Sequence, residues 1–308
     1  MDRLRSPLGE QIKRGLREPH LVARRLNEWC YALHSEYTDG RDRLDFFEAD
    51  WDNLLLLDAC RYDTFAAVSD LPGNLESKHT KSSSTIEFLK RYIDGRNLTD
   101  TVYVTANPQH YRKRERNYIS STFHDVIDIW QEDGWDDKFR TVRPETVADA
   151  AERAAERYPD KRLLVHFMQP HYPYIGETGR EHFDNDSLDF FNRVLSGEVD
   201  IDEDVLLRAY RENIEAVLPS VERLLESLGG RTVVSADHGE MFGERVLPIP
   251  VQEYGHPTGI HTPELTEVPW LVSENGSRRA IVSGDSEHDS DDFATDVAEQ
   301  RLRDLGYA

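Results

Sequence analysis

Apolar and polar positions alternate along this chain in two rhythms. Short apolar runs recur at "NLLLLD", "TVYVT", "RLLVHF", "RTVVSA" and "VPWLV". Between several of them lie stretches with helical spacing. The clearest covers about Val205 to Leu228, with Leu207, Tyr210, Ile214, Val217, Leu218, Val221, Leu224 and Leu225 on one side. That helix is predicted to kink at Pro219 and to stop at Gly229 and Gly230. The four leucines Leu54 to Leu57, closed by Asp58, read as a strand buried on both faces. Strands alternating with helices predict a largely parallel sheet covered on both sides, and sites in such sheets lie at strand ends.

Ahead of the first strand, apolar residues at Leu21, Leu26, Trp29 and Leu33 keep helical spacing, with a break near Pro19. Residues 1–50 are therefore expected to form a helical extension and residues 51–308 the main domain. The stretch from Ser277 to Asp292 is polar and acidic, and it reads as a loop before a final helix over Phe293–Leu305.

Composition narrows the functional classes. With 37 Lys and Arg against 59 Asp and Glu, the net charge of -22 disfavours a general nucleic-acid or anionic-surface binder. The few lysines and dense carboxylates match what a high-salt cytoplasm favours, where salt screens their mutual repulsion. Only Cys30 and Cys60 are present, which excludes a disulfide framework and a Cys-rich zinc module. No run approaches the ~18 apolar residues of a membrane span, and the first residues lack a signal-peptide core, so a cytoplasmic location is the expectation.

Candidate chemistry gathers at the predicted strand ends. Asp58 follows a buried strand, where an isolated carboxylate needs compensation and a metal ion is one source. Arg61 and Asp63 lie just beyond it. In "KSSSTIEFLKRYIDG", Ser84 followed by Glu87 is a capping-box pattern that starts a helix at Thr85 and ends it before Gly95. Thr85 at the first helical position suits a nucleophile. "HFMQPHYPY" brings His166 and His171 to a strand end between prolines, and "ADHGE" does the same for Asp237 and His238. His256 and His261 follow in a glycine-containing loop. Together these residues can form one or two divalent-metal sites with nitrogen and oxygen ligands.

The order of these motifs resembles the alkaline phosphatase superfamily, in its sulfatase-like and phosphoglycerol-transferase-like branch, over about Asn53 to Val272. The resemblance implies a three-layer α/β/α sandwich around a mixed, mostly parallel sheet, with residues 51–308 as the catalytic domain. It implies Asp58, Asp237 and His238 as metal ligands and Thr85 as the nucleophile. His171 would contact substrate or a second metal, and His256 or His261 would close the site. Arg61 would brace a carboxylate or an anionic oxygen.

Two departures shape the expectation. Cys60 lacks the Cys-x-Pro-x-Arg context of a formylglycine sulfatase, and alignment on Glu87 and Phe88 instead makes Ser83 the nucleophile, with Ser84 a further alternative. Ala59 replaces the second aspartate of calcium-type sulfatases, which favours zinc or manganese over calcium or magnesium. The implied activity is metal-dependent hydrolysis or transfer of phosphate esters, ahead of sulfate esters, through a covalent Thr or Ser intermediate. The implied substrates are phosphorylated or sulfated small molecules, lipid head groups or glycans. The alternative is a catalytically silent fold that binds a glycan or a partner protein.

Overall fold

The leucine run forms β1 (Asn53–Leu57), and every residue of it is buried. Leu54 and Leu56 pack with Phe46, Phe88, Leu89 and Tyr92 in one core cluster. Leu55 and Leu57 point the other way, into a cluster with Val147, Tyr210, Val217 and Val221. Successive side chains of a strand face opposite sides, so an unbroken apolar run serves two cores at once. The computed structural model describes residues 19–34, 44–131, 134–183, 190–286 and 295–307.

The other strands in chain order are β2 (Asn74–His79), β3 (Asn97–Thr105), β4 (Thr122–Asp128), β5 (Trp135–Asp136), β6 (Thr141–Val142), β7 (Arg162–Phe167), β8 (Gly230–Ser235), β9 (Met241–Val246), β10 (Val251–Gly255) and β11 (Glu267–Asn275). Seven of them form one sheet in the order β2-β11-β8-β1-β7-β3-β4, while β9 with β10 and β5 with β6 form two small antiparallel pairs. Within the large sheet β1 runs parallel to β7 and β8, and β3 runs parallel to β7 and β4. Only β11 opposes its neighbours β2 and β8. The result is the mixed, mostly parallel sheet with helices on both faces that the motifs imply.

The long helix runs Glu203–Ser227, capped by Asp202, whose side chain accepts from the Asp204 N–H. Its buried side carries Leu206, Tyr210, Ile214, Val217, Val221 and Leu224. Leu207, read from spacing as part of that side, is 39% exposed, and Leu206 takes the inward position. Pro219 lies inside the helix. Among the described residues the extension is the helix Pro19–His34, and the chain rejoins the core at Phe46 and Phe47, which pack with Trp51. Residues 1–18 and 35–43 of the extension lie outside the described residues, as do 287–294, where part of the acidic loop and the expected start of the last helix fall. That helix is described over Thr295–Asp304. No helix among the described residues is long and apolar enough to cross a membrane.

Candidate active site

The order β8-β1-β7 brings three carboxyl ends together. Leu56 pairs with Ser235 and Leu57 with Phe167, so the segments that follow leave the sheet side by side. Asp58, Asp237 and the loop to His171 are the next residues on these three strands. The turn after Asp58 is tight. Ala59 adopts a φ of 60°, a left-handed conformation uncommon for a residue with a Cβ. It is held from both sides: its N–H donates to Asp237 Oδ1 (3.2 Å), and its carbonyl accepts from the Tyr210 hydroxyl (2.7 Å).

Asp58, Asp237 and His238 are all buried, and one ligand atom from each lies within 4.8 Å of the others. His238 Nδ1 donates to the Gly239 carbonyl at 2.8 Å, which leaves Nε2 bare. That Nε2 is 3.3 Å from Asp237 Oδ2 and 3.5 Å from Asp58 Oδ1. Asp58 Oδ2 accepts from Asn107 Nδ2 at 2.7 Å. Asp237 Oδ2 is buried with no hydrogen-bond partner. Burial raises Asp58, reinforced by the Asp237 charge, and burial also raises Asp237. The same burial holds His238 well below its ordinary value. His166 lies beneath the cluster with Nε2 at 3.7 Å from both aspartates, and the Tyr103 hydroxyl is 2.9 Å from its Nδ1.

A second group consists of His171, Glu240 and His256. His256 Nδ1 is 3.0 Å from Glu240 Oε1, while Glu240 Oε2 is buried without a partner. His171 Nδ1 is taken by the Tyr172 carbonyl. The two groups adjoin, since the rings of His238 and His256 are 4.6 Å apart. Burial pushes Glu240 up to about 8 and lowers both His171 and His256 to about 4. His171 and His256 are therefore neutral at pH 7, which is the state of a metal-ligating imidazole.

Thr85 opens the short helix Thr85–Phe88, and Ser84 is its N-cap, accepting from the Glu87 N–H. Helical character continues as a π turn over Leu89–Ile93 and stops before Gly95. Of the three adjacent hydroxyls only that of Thr85 faces the group of Asp58, Asp237 and His238. Its Oγ1 is 3.2 Å from His238 Nε2 and 3.4 Å from Asp58 Oδ1. Ser83 Oγ donates toward Glu87 and the Pro257 carbonyl and accepts from the Gly259 N–H. Ser84 Oγ accepts from Thr258. Both serines are committed to the loop that carries His256.

His261 lies apart from both groups, and Arg61 meets the second only at the Glu240 backbone. His261 Nε2 pairs with Glu87 at 3.0 Å. The Arg61 guanidinium binds Asp63 and Glu244 and donates to the Glu240 carbonyl, so it braces carboxylates at the edge of the site. The buried Cys60 thiol is pushed well above its ordinary value by burial, which removes it as a nucleophile.

Three contributors were not singled out from sequence. Glu240 stands two residues after His238 inside the "ADHGE" motif, a signal that spacing alone offered. Asn107 follows β3, at a strand end like the other site residues. Tyr307 carried no local signal: its hydroxyl lies 3.4 Å from Thr85 Oγ1, 3.3 Å from Asn107 Nδ2 and 3.4 Å from Asp58 Oδ2, and its ring stacks on His171 with centroids 5.0 Å apart.

No family model matches the sequence, and no curated protein matches it. Among solved structures, the C-terminal periplasmic domain of EcEptC from Escherichia coli in complex with Zn is similar at 14% identity and TM-score 0.45, covering 76% of each chain. The corresponding domain of the phosphoethanolamine transferase EptC from Campylobacter jejuni is similar at 11% identity and TM-score 0.45, over 71% of this chain and 77% of that one. A protein in the alkaline phosphatase superfamily from Vibrio parahaemolyticus is similar at 12% identity and TM-score 0.37, over 84% and 67%.

Proposed function

We propose that this chain is a metal-dependent phosphohydrolase or phosphotransferase of the alkaline phosphatase superfamily that works through a covalent intermediate on Thr85. The observation that carries this reading is the position of Thr85 Oγ1, within 3.4 Å of both His238 Nε2 and Asp58 Oδ1. The donor set suits a divalent cation. Three buried carboxylates, Asp58, Asp237 and Glu240, stand among histidines whose burial keeps them neutral, and two of their oxygens have no partner. Buried charge without compensation is costly, and a mixed nitrogen and oxygen set favours zinc or manganese.

Asp58, Asp237 and His238 would hold one ion, and His171, Glu240 and His256 would hold a second. A divalent cation at the first position supplies positive charge that lowers the pKa of a neighbouring hydroxyl and offsets charge on a transferred phosphoryl group. Thr85 Oγ1 is the attacking atom: its bond to phosphorus forms as the bond to the leaving oxygen breaks. Water or an acceptor alcohol then breaks the bond between Oγ1 and phosphorus. Asn107 keeps Asp58 in register through its 2.7 Å hydrogen bond. His171 has Nε2 as its remaining ring nitrogen and is neutral at pH 7, which suits a ligand better than a proton donor. The substrates would be phosphate esters, ahead of sulfate esters, on small molecules, lipid head groups or glycans.

The test is hydrolysis of aryl phosphate, phosphodiester and sulfate esters with added zinc, manganese, magnesium or calcium at high salt. Asp237→Ala and Thr85→Ala should each abolish the metal-stimulated rate. Full activity in Asp237→Ala sinks the metal site, and full activity in Thr85→Ala moves the nucleophile to Ser83 or Ser84. One observation favours the silent alternative: the Tyr307 hydroxyl lies 3.4 Å from Thr85 Oγ1 while its ring stacks on His171. A purified protein without stoichiometric zinc or manganese would support that second reading.

A further inference from the structure

His166, near the end of β7, belongs to neither ligand group described above. It is fully buried, and the rings of Phe88 and Tyr103 pack against its imidazole, each with its centroid 6.3 Å away. The protons around it can be counted. Thr105 Oγ1 donates its single proton to the Asn107 carbonyl at 3.2 Å, so in the hydrogen bond between Thr105 and Tyr103 the tyrosine is the donor. The Tyr103 hydroxyl, 2.9 Å from His166 Nδ1, then has only a lone pair to offer the ring, and Nδ1 carries the proton. Nε2 is left bare. His238, His171 and His256 share this arrangement, with Nδ1 on the Gly239 carbonyl, the Tyr172 carbonyl and the Glu240 carboxyl.

The bare Nε2 has no hydrogen-bond partner among the described residues, and it faces Asp58 Oδ2 and Asp237 Oδ2 at 3.7 Å each. Asp237 Oδ2 also lacks a partner. A separation of 3.7 Å is too long for a hydrogen bond. It suits two donors on one ion: with bonds of about 2.0–2.2 Å and angles of about 109–120°, neighbouring ligand atoms lie about 3.3–3.8 Å apart. His238 Nε2 stands in the same range, 3.3 Å from Asp237 Oδ2 and 3.5 Å from Asp58 Oδ1. Buried acceptors that face one another with no proton between them are costly, and a cation relieves that cost.

We propose that His166 is a further ligand, through Nε2, of the divalent ion held by Asp58, Asp237 and His238, and that Tyr103 is the positioning residue that fixes its tautomer. This rests on the metal site of the function proposed above and is independent of which hydroxyl is the nucleophile. Metal-ligating histidines give their other N–H to an oxygen in this way.

Cobalt(II) in place of zinc lets the ligands be counted, because the ring N–H of each coordinated histidine gives its own exchangeable, paramagnetically shifted proton resonance. His166→Leu should lose one of these resonances. Loss of an outer partner typically costs about 10–100-fold in metal affinity, so Tyr103→Phe should weaken zinc binding by that amount in calorimetry. His166→Leu should weaken it by about a hundredfold or more. The metal-free His166→Leu protein should keep the wild-type circular dichroism spectrum, while the rise in melting temperature that zinc brings should shrink. Asp237→Ala separates this proposal from the reading it rests on. Zinc binding lost in Asp237→Ala but kept in His166→Leu, with every resonance present, overturns the role of His166 and leaves the ion in place. Zinc binding unchanged in both variants, or absent in the wild type, overturns the metal site and this proposal with it. Unchanged affinity and resonances in Tyr103→Phe overturn the proton arrangement from which the proposal follows.

Discussion

The Tyr307 hydroxyl lies 3.4 Å from the Thr85 hydroxyl, and both sit within 3.4 Å of an Asp58 carboxylate oxygen. The tyrosine is held there by stacking on His171 and edge contact with His256. A phenol this buried stays protonated far above neutral pH, because burial raises it and the Asp58 charge raises it further. It is therefore a hydrogen-bond donor aimed at the place where a transferred group meets Thr85. Hydrogen bonds to charged groups are worth about 1.5–3 kcal/mol, so Tyr307→Phe should lower kcat for an aryl phosphate by about tenfold or more and leave KM nearly unchanged. A rise in kcat would instead identify the Tyr307 hydroxyl as an obstruction beside Thr85.

Asn213 binds the loop that presents His171. Its Nδ2 reaches the carbonyls of Pro170, His171 and Pro173 at 3.0–3.2 Å, and its Oδ1 accepts from the Ile175 N–H at 2.7 Å. Asn213→Leu keeps the apolar stem in the core and leaves these buried groups without a partner. Unfolding in denaturant should show a loss of about 1–3 kcal/mol. Wild-type stability in this variant would mean that water replaces the amide.

The strand ends were legible because a buried strand has one strong sequence signature, an unbroken apolar run, and a polar residue closing it stands out. Asp58, Asp237 and His238 were each readable in this way, Thr85 was readable from the capping box that starts its helix, and parallel order placed β8, β1 and β7 side by side. Gly239, which follows His238 directly, is fixed as glycine by its neighbours. A Cβ there would lie 2.0 Å from the Glu264 carbonyl oxygen, so the crowding comes from the short helix Pro263–Thr266. Tyr307 and Asn213 reach the site from distant chain segments, and only tertiary packing brings them there. The choice between His256 and His261 was likewise invisible, because it depends on which ring Glu87 and Glu240 each claim.

Salt should stabilise the fold. The Debye length falls from ~10 Å at 0.1 M to ~3 Å at 1 M, which removes most long-range repulsion in a chain of net charge -22. Exposed pairs such as Arg223 with Asp149 weaken over the same range, yet solvent-exposed ion pairs of this kind contribute little to stability. The melting temperature is therefore expected to rise with potassium chloride. A flat or falling curve would mean that the ion pairs outweigh the self-repulsion.

Glu240 sets the pH dependence of ion binding. Burial raises it to about 8, with the Arg61 charge partly opposing, so without a cation its carboxyl is protonated at pH 7. A group raised above its unfolded value contributes stability that is complete below about 4.5 and is lost as pH rises through about 8. His256, lowered to about 4 by burial, has the opposite sign: its contribution is complete above about 6.5 and is lost as pH falls through about 4. A bound cation needs the Glu240 carboxylate, so binding must expel its proton below about pH 8 and expels none well above it. Zinc or manganese titrated into the protein by calorimetry, in two buffers of different ionisation heat, should show proton release at pH 7 that fades by about pH 9, with affinity rising over that range. Glu240→Gln should remove this part of the release. A proton count that stays constant with pH in the wild type would place the Glu240 carboxylate already ionised at pH 7, and the second group would then lack the buried, protonated acid that its geometry implies.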